Sequence, residues 1–388
     1  MAKTSQGKDI SVVLNAIRAT SSSAYQSNVP MATASNITDV GMAVLNAPVA
    51  IRNEFMSNLY NKVGLTLIDS PVIENEFSFL RKGTLEYGQM IEDIYVGLAQ
   101  AEPYVTGMHD GDDGYPDPFT IKKLPHYSAF YSTILSRQYQ VTRHLTDLKK
   151  AFHTGGGVEQ FVAGMMNALV SGENYDDMRA TIGLIARQIE AAQTAENFKG
   201  NVHLLTDFNK LQGTTLKPED AFTNQDFIKY FAKVLKKYSK RLRHVRTDLN
   251  IAGVQQTLPL AKQRVMLLED ISVEFDTELL AWAYHEDKFQ LNGFDEIDAW
   301  YTIGADHTAT PVVSPESIQR KATFSTASGK SVQCVGIIYD LDMIKIYNKE
   351  RVASDQANNK GNYWNMFMSL EDIYACSPYK NFVCFMLD

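Results

Sequence analysis

The sequence predicts an α+β fold. Three observations carry that reading: helix-period runs at residues 158–193 and 226–247, strand-like alternation through residues 334–388, and a turn-rich stretch at 108–118 between strand-like segments. Residues 1–47 are rich in Ser, Ala, Asn and Thr and read as an arm, ordered only where it lies on something else. A helix is predicted from Asn46-Ala47-Pro48, where Asn caps and Pro suits the first turn. Val49, Phe55, Met56, Leu59, Tyr60 and Val63 give it an apolar side, and Gly64 ends it.

Leu67-Ile68, Phe77-Ser78-Phe79 and Ile91–Val96 read as strand. They lead into Met108–Pro118, too long and turn-rich for a plain loop, so an extended β-hairpin with an acidic tip is expected. Residues 127–150 read as mostly helical. After Gly155-Gly156-Gly157 come Phe161, Val162, Met165, Met166 and Leu169, then Tyr175, Met178, Ile182, Ile185 and Ile189. They predict a long helix in two parts with a break at Gly172-Glu173-Asn174. Residues 202–206 read as strand and 216–225 as loop.

The clearest helix is 226–247. With Lys229 at angle zero, Phe227, Phe231, Val234, Leu235, Tyr238, Leu242 and Val245 fall between about 140° and 240°. Lys229, Lys233, Lys236, Lys237, Lys240, Arg241 and Arg243 take the opposite half. Residues 225–250 carry eight Lys/Arg against two Asp, 8 − 2 = +6. Residues 266–300 carry one Lys against ten Asp/Glu, 1 − 10 = −9. Within the acidic segment, 271–275 reads as strand and 277–285 as helix. The chain closes with strands at 335–339, 344–347, 363–369 and 382–387.

Composition excludes several function classes. The 388 residues are 45% hydrophobic and 21% charged, which excludes global disorder. The net charge is 37 − 45 = −8, so a protein that coats nucleic acid by charge alone is not expected. No uncharged apolar run of 18 residues occurs, so no membrane-spanning helix is expected. Residues 10–17 make a poor export-signal core, and the odd set Cys334, Cys376 and Cys384 fits a reduced intracellular chain.

Motifs for catalysis or cofactor binding fail on spacing. Gly329-Lys330-Ser331 resembles a phosphate loop, but Phe324 stands where the motif needs Gly, and a hairpin turn is expected. His285-Glu286 has Phe289 where a zinc-protease helix needs His. Cys376 and Cys384 lack zinc-site spacing. Asp110, Asp112, Asp113 and Asp117 lack the regular positions of a calcium loop and read as a solvated tip. No enzyme activity, metal or cofactor is expected. The candidate contact residues are the basic row of 226–247 and the acidic tip.

At this point a resemblance enters. Val12-Val13-Leu14-Asn15-Ala16-Ile17-Arg18, Val29-Pro30-Met31-Ala32-Thr33-Ala34-Ser35-Asn36 and Val40-Gly41 resemble the start of major capsid proteins of small short-tailed phages, the Picovirinae. Arg81-Lys82-Gly83 and Gly88–Tyr95 look like their hairpin arm, 161–182 like their spine helices, and Gly361–Asn365 with Phe382–Phe385 like their last strands. The resemblance runs in order along nearly the whole chain. Some members carry an extra C-terminal immunoglobulin-like domain, and this chain stops at Asp388.

The resemblance implies the Hong Kong 97 capsid fold. It assigns 1–47 to an N-terminal arm, 48–69 to a helix entering the peripheral domain and 70–126 to an extended loop. Residues 127–202 become the peripheral domain with its spine helix, 203–340 the axial domain, and 341–388 strands returning to the peripheral domain. It implies a structural subunit of a virion, assembled in the bacterial cytoplasm as pentamers and hexamers. These would form an icosahedral or prolate shell around double-stranded DNA held weakly, with scaffolding protein and portal as partners and no membrane. The rivals are a nucleic-acid-binding replication or packaging protein using the basic helix 227–246, and an enzyme with a non-standard site.

Overall fold

The computed structural model describes residues 10–33, 35–67, 75–85, 91–101, 121–131, 134–146, 157–269, 271, 294–303, 312–313 and 318–388. Four helices open the chain: α1 (Ile10–Thr20), α2 (Ser23–Asn28), α3 (Ile37–Asn46) and α4 (Val49–Leu67). Ser22 caps α2 by accepting from the Tyr25 N–H. Leu14, Ile17, Tyr25, Val40 and Val44 are buried together with Phe55, Met56 and Leu59 of α4. Residues 10–33 and 35–47 are thus ordered against the rest of the chain, with an apolar pattern that their composition hides. Leu14/Ile17 and Val40/Val44 do recur at helical spacing, between polar small residues that mask it. Helix α4 passes Gly64 and ends at Leu67.

The segment around Phe77–Phe79 is a 3₁₀ turn at Ser78–Leu80 rather than a strand, with Phe77 and Leu80 buried. Strand β1 (Arg81–Thr84) follows. Strands β2 (Ile91–Val96) and β3 (His126–Tyr131) form an antiparallel hairpin in register from Ile91↔Tyr131 to Val96↔His126. Its return strand extends beyond the expected limit at 126. The turn at 108–118 lies outside the described residues.

Residues 127–131 and 134–144, expected to be mostly helical, are strand. After β3 comes β4 (Ile134–His144), where Leu135 and Arg137 are buried alternately. Aromatic and β-branched residues such as Tyr131, Tyr139, Val141 and Thr142 suit the pleated surface better than a helix. Helix α5 (Gly157–Thr194) is one continuous helix of 38 residues, about 57 Å long, without the expected break. The helix continues through Gly172, where a Cβ would make ordinary contact with the Tyr139 ring at 3.4 Å.

Strand β5 (Asn201–His203) leads into α6 (Leu204–Gln212), which ends at Gly213 in the left-handed conformation, φ 67°. Helix α7 (Gln225–Leu242) starts at Asn224, whose side chain accepts from the N–H groups of Asp226 and Phe227. The remaining strands are β6 (Gln263–Leu268), β7 (Phe294–Ile297), β8 (Trp300–Thr302), β9 (Val312–Val313), β10 (Gln319–Lys321) and β11 (Phe324–Ser325). They are followed by β12 (Ser331–Asp340), β13 (Ile344–Asn358), β14 (Tyr363–Cys376) and β15 (Val383–Leu387). Of the expected strand 271–275 and helix 277–285, only the buried Ile271 is among the described residues.

Two sheets organise the molecule. One runs β1-β13-β14-β4-β9, the other β5-β15-β12-β6-β7 with β11 paired to β12. Strand β15 therefore joins the sheet of β12, while β13 and β14 belong to the other sheet. One core lies where Ile182, Ile185 and Ile189 of α5 meet Ile337, Ile346, Tyr374 and Phe382. A second lies between α1–α4 and Trp364, Met366, Met368 and Leu370 of β14. A third lies where α6 and α7 cover β12 and β15. Each fully buried large apolar side chain contributes about 1.5–3 kcal/mol.

The hairpin-turn reading holds, and of Cys376 and Cys384, which read as buried strand cysteines, Cys384 is buried and Cys376 only partly so. The stretch Thr326–Lys330 is a tight turn between β11 and β12: Gly329 N donates to Thr326 O at 2.8 Å, with Gly329 at φ 77°. Cys334 and Cys384 are free and fully buried, and burial pushes the Cys334 thiol up to about 12.

Candidate interaction surfaces

Helix α7 folds as its amphipathic pattern dictates. Phe227, Phe231, Leu235 and Leu242 are fully buried, and Phe231 meets Phe385 of β15 edge-to-face at 5.4 Å. Val245 lies beyond the helix end and is exposed. On the opposite side Lys229, Lys233, Lys237, Lys240 and Arg243 are exposed, with Lys236 and Arg241 half-buried. Arg241 lies over the Tyr238 ring, 5.6 Å from its centroid, and pairs with Asp248 at 3.7 Å. The C-terminal end of the row is thus partly neutralised within the subunit.

Two members of the acidic segment are also engaged at home. Asp295 pairs with Arg264 and accepts from the Tyr339 hydroxyl at 2.9 Å; Asp298 pairs with Arg320 at 2.8 Å. Residues 272–293, and with them most of the acidic segment, lie outside the described residues. So do Asp110, Asp112 and Asp113 of the acidic tip.

The β2–β3 hairpin has two unlike faces. Inward, Tyr95 and Ala129 pack on Val254 and Tyr379, and the Tyr95 hydroxyl donates to Gln255 O at 3.1 Å. Asp93 is held by Lys345 at 2.9 Å and by the hydroxyls of Ser377 and Tyr131. Burial opposes its ionisation, but Ser377 and Lys345 outweigh it and hold the carboxyl below the ordinary aspartate range. Outward, alternation places Ile94, Val96 and Phe130 on one face, 59%, 56% and 60% exposed. Exposed apolar residues grouped in this way mark a contact surface.

One charged cluster escapes sequence reasoning altogether. Asp177 of α5 accepts from Arg81 at 2.7 Å, from Asn75 and from the Tyr374 hydroxyl. Arg137 of β4 pairs with Asp372 of β14 and lies 3.8 Å from Asp177; the side chains of Arg137, Asp177 and Asp372 are almost wholly buried. Nearby, Glu173 of α5 pairs with Arg351 of β13, and burial raises the Glu173 carboxyl above its ordinary value against the pull of Arg351 and Arg137. The cluster pins α5 and strands β1, β4 and β14 to one another. Its only sequence signal is Arg137, a charge in an alternating strand position where an apolar residue belongs. Reading 127–150 as helix hid it.

Mixed layers, a long helix against a sheet and a two-stranded hairpin give an α+β architecture similar to the Hong Kong 97-type fold of phage capsid subunits. The capsid of Staphylococcus phage Andhra contains a chain that superposes with a TM-score of 0.54, at 11% identity, covering 83% of this chain and 86% of that one. The major capsid protein of Bacillus phage B103 is 22% identical over 378 residues, 96% of this chain and 72% of that one. That of Streptococcus phage Cp-1 is 27% identical over 327 residues, 81% and 85% respectively. The model of the Phi29-like phage major capsid protein family matches residues 14–386. The chain belongs to that family.

Proposed function

We propose that this chain is the repeating subunit of a phage head shell, self-assembling as pentamers and hexamers around packaged double-stranded DNA. The observation that carries the reading is the outer face of the β2–β3 hairpin, where a solitary subunit leaves Ile94, Val96 and Phe130 in water beside Glu92, Ser128 and His126. A neighbouring copy covers it, so the hairpin is the extended loop of the subunit. Helix α5 is the spine, and with the β13–β14 sheet it makes the peripheral domain. The β12–β15 sheet with α6 and α7 makes the axial domain.

The basic row Lys229, Lys233, Lys236, Lys237, Lys240, Arg241 and Arg243, exposed except at Lys236 and Arg241, faces the acidic segment of the adjacent subunit in the ring. A head-to-tail contact repeats that pairing at every step. The net charge of −8 suits a container that releases its DNA. The role is structural and without catalysis; scaffolding protein and portal are its assembly partners in the bacterial cytoplasm. Deleting 105–118 tests the reading: the free subunit should fold with unchanged helix content, and electron microscopy should show few closed shells. A deletion that assembles like the parent overturns the role given to the hairpin.

A further inference from the structure

The buried cluster around Arg137 has polar atoms that the side chains about it do not satisfy. Arg137 is 2% exposed, and Asp372 beside it 1%. Arg137 Nη2 donates to Asp372 Oδ2, which Arg81 also approaches at 3.4 Å. Among the described residues, Arg137 Nε and Nη1 have no hydrogen-bond partner, and neither has Asp372 Oδ1. A guanidinium carries one N–H on Nε and two on each Nη, so several charged donors and one charged acceptor are bare in the same buried place. Bare buried groups are costly, and charged ones most of all.

The neighbours are committed elsewhere. Asp177 is taken up by Arg81, Asn75 and the Tyr374 hydroxyl, and its Oδ1 lies 3.8 Å from Arg137 Nη2, beyond hydrogen-bond reach. The Tyr139 hydroxyl donates to Asp176 at 2.9 Å, and Glu173 pairs with Arg351.

Charge decides the class of ligand that fits. Arg81, Arg137 and Arg351 stand against Asp177, Asp372 and Glu173, so the cluster is neutral and an added ion would leave a buried excess charge. An anion would suit the Arg137 donors but be repelled by Asp372 Oδ1; a cation would meet the reverse. Water both donates and accepts. The distances suit it too. Oδ1 shares its carbon with Oδ2, and Nε and Nη1 share Cζ with Nη2. The two groups already touch through Oδ2 and Nη2, so the bare acceptor and the bare donors lie within the span of one or two water molecules. Arg81 and Arg351 at the rim are 27% and 35% exposed, which gives water a way in.

We propose that the junction of α5, β4 and β14 binds internal water as a structural ligand, one molecule accepting from Arg137 Nε or Nη1 and donating to Asp372 Oδ1. The water completes a charged cluster that its side chains alone leave unfinished. It also lets Arg137 shift between Asp372 and Asp177 without baring a donor.

A crystal structure of the full chain, at a resolution that shows ordered water, tests this. Density is expected about 2.7–3.2 Å from Arg137 Nε or Nη1 and from Asp372 Oδ1. A forked pair, with Oδ1 turned directly onto Arg137 and no density between them, overturns the proposal. So does a peak there that gains anomalous signal when bromide replaces chloride, which marks an anion. A second measurement uses Arg137→Met together with Asp372→Leu, which removes donors and acceptor at once and keeps the Arg81–Asp177 pair. Oxygen-17 relaxation dispersion of the free subunit should show at least one long-lived internal water fewer in this variant than in the parent; an equal number counts against the proposal. If the variant does not fold, the density in the parent decides.

Discussion

A charge removed from the cluster around Asp177 strands its partner in a place bulk water does not reach. Asp177→Ala leaves Arg81 and Arg137 short of a counter-charge and should cost about 3–5 kcal/mol, read by urea unfolding of the free subunit. Lys262→Ala breaks an exposed pair with Asp342 of similar length, 2.6 Å, and should cost less than about 1 kcal/mol. Asp93 adds a pH dependence. Its folded-state pKa lies below the ordinary value, so the stabilisation is complete above the ordinary aspartate range and is lost as pH falls through the folded value. Below about pH 4 the hairpin base should loosen. Thermal unfolding followed against pH should show this acid limb in the parent and a flatter one in Asp93→Asn. None of these residues was legible as a site, because each gains its meaning from partners far away in sequence: Asp177 from Tyr374, Asp93 from Lys345 and Ser377.

Helix α7 was legible because six apolar residues of the helix share one arc and no charge interrupts them, though the same arc wrongly carried the helix on to Val245. Phe231→Ala should cost about 3–5 kcal/mol in the same unfolding assay, since Phe231 is fully buried against Phe385. Reversing Lys233, Lys237 and Lys240 to Glu changes only exposed positions. It should leave unfolding nearly unchanged while sedimentation shows fewer capsomers. Normal capsomers would return the row to a solvated face. The C-terminal strands were equally legible, their alternation being strict at Trp364, Met366 and Met368. The short helices α1–α3 were not, since Ser and Asn dilute an apolar stripe only two or three residues long. Strand β4 was misread because Tyr and Arg fit either periodicity until a neighbouring strand fixes the alternation.

Across the assembled shell, weak exposed contacts are multiplied by copy number. If the basic row meets acid on its neighbour, assembly followed by light scattering should slow as salt rises, because screening at physiological ionic strength already limits exposed charges to about 8 Å. The order of segments was readable from sequence, and the resemblance implied that the last strands return to an earlier domain; which strands pair was not readable, because long-range pairing alone decides it. That return has a consequence for synthesis. Helices α1–α4 complete their core with Leu145, Leu169 and Val170 and, last, with Trp364, Met366, Met368 and Leu370, and β15 fills the place between β5 and β12. A chain still on the ribosome therefore holds the two halves of its cores apart in time, and the early helices wait, exposed, for residues made some three hundred positions later. Such distant pairing makes folding slow and leaves incomplete chains to chaperones and proteases. An interrupted polypeptide has no finished surface to offer a growing shell, so the geometry of the fold itself screens out fragments before they can spoil a particle.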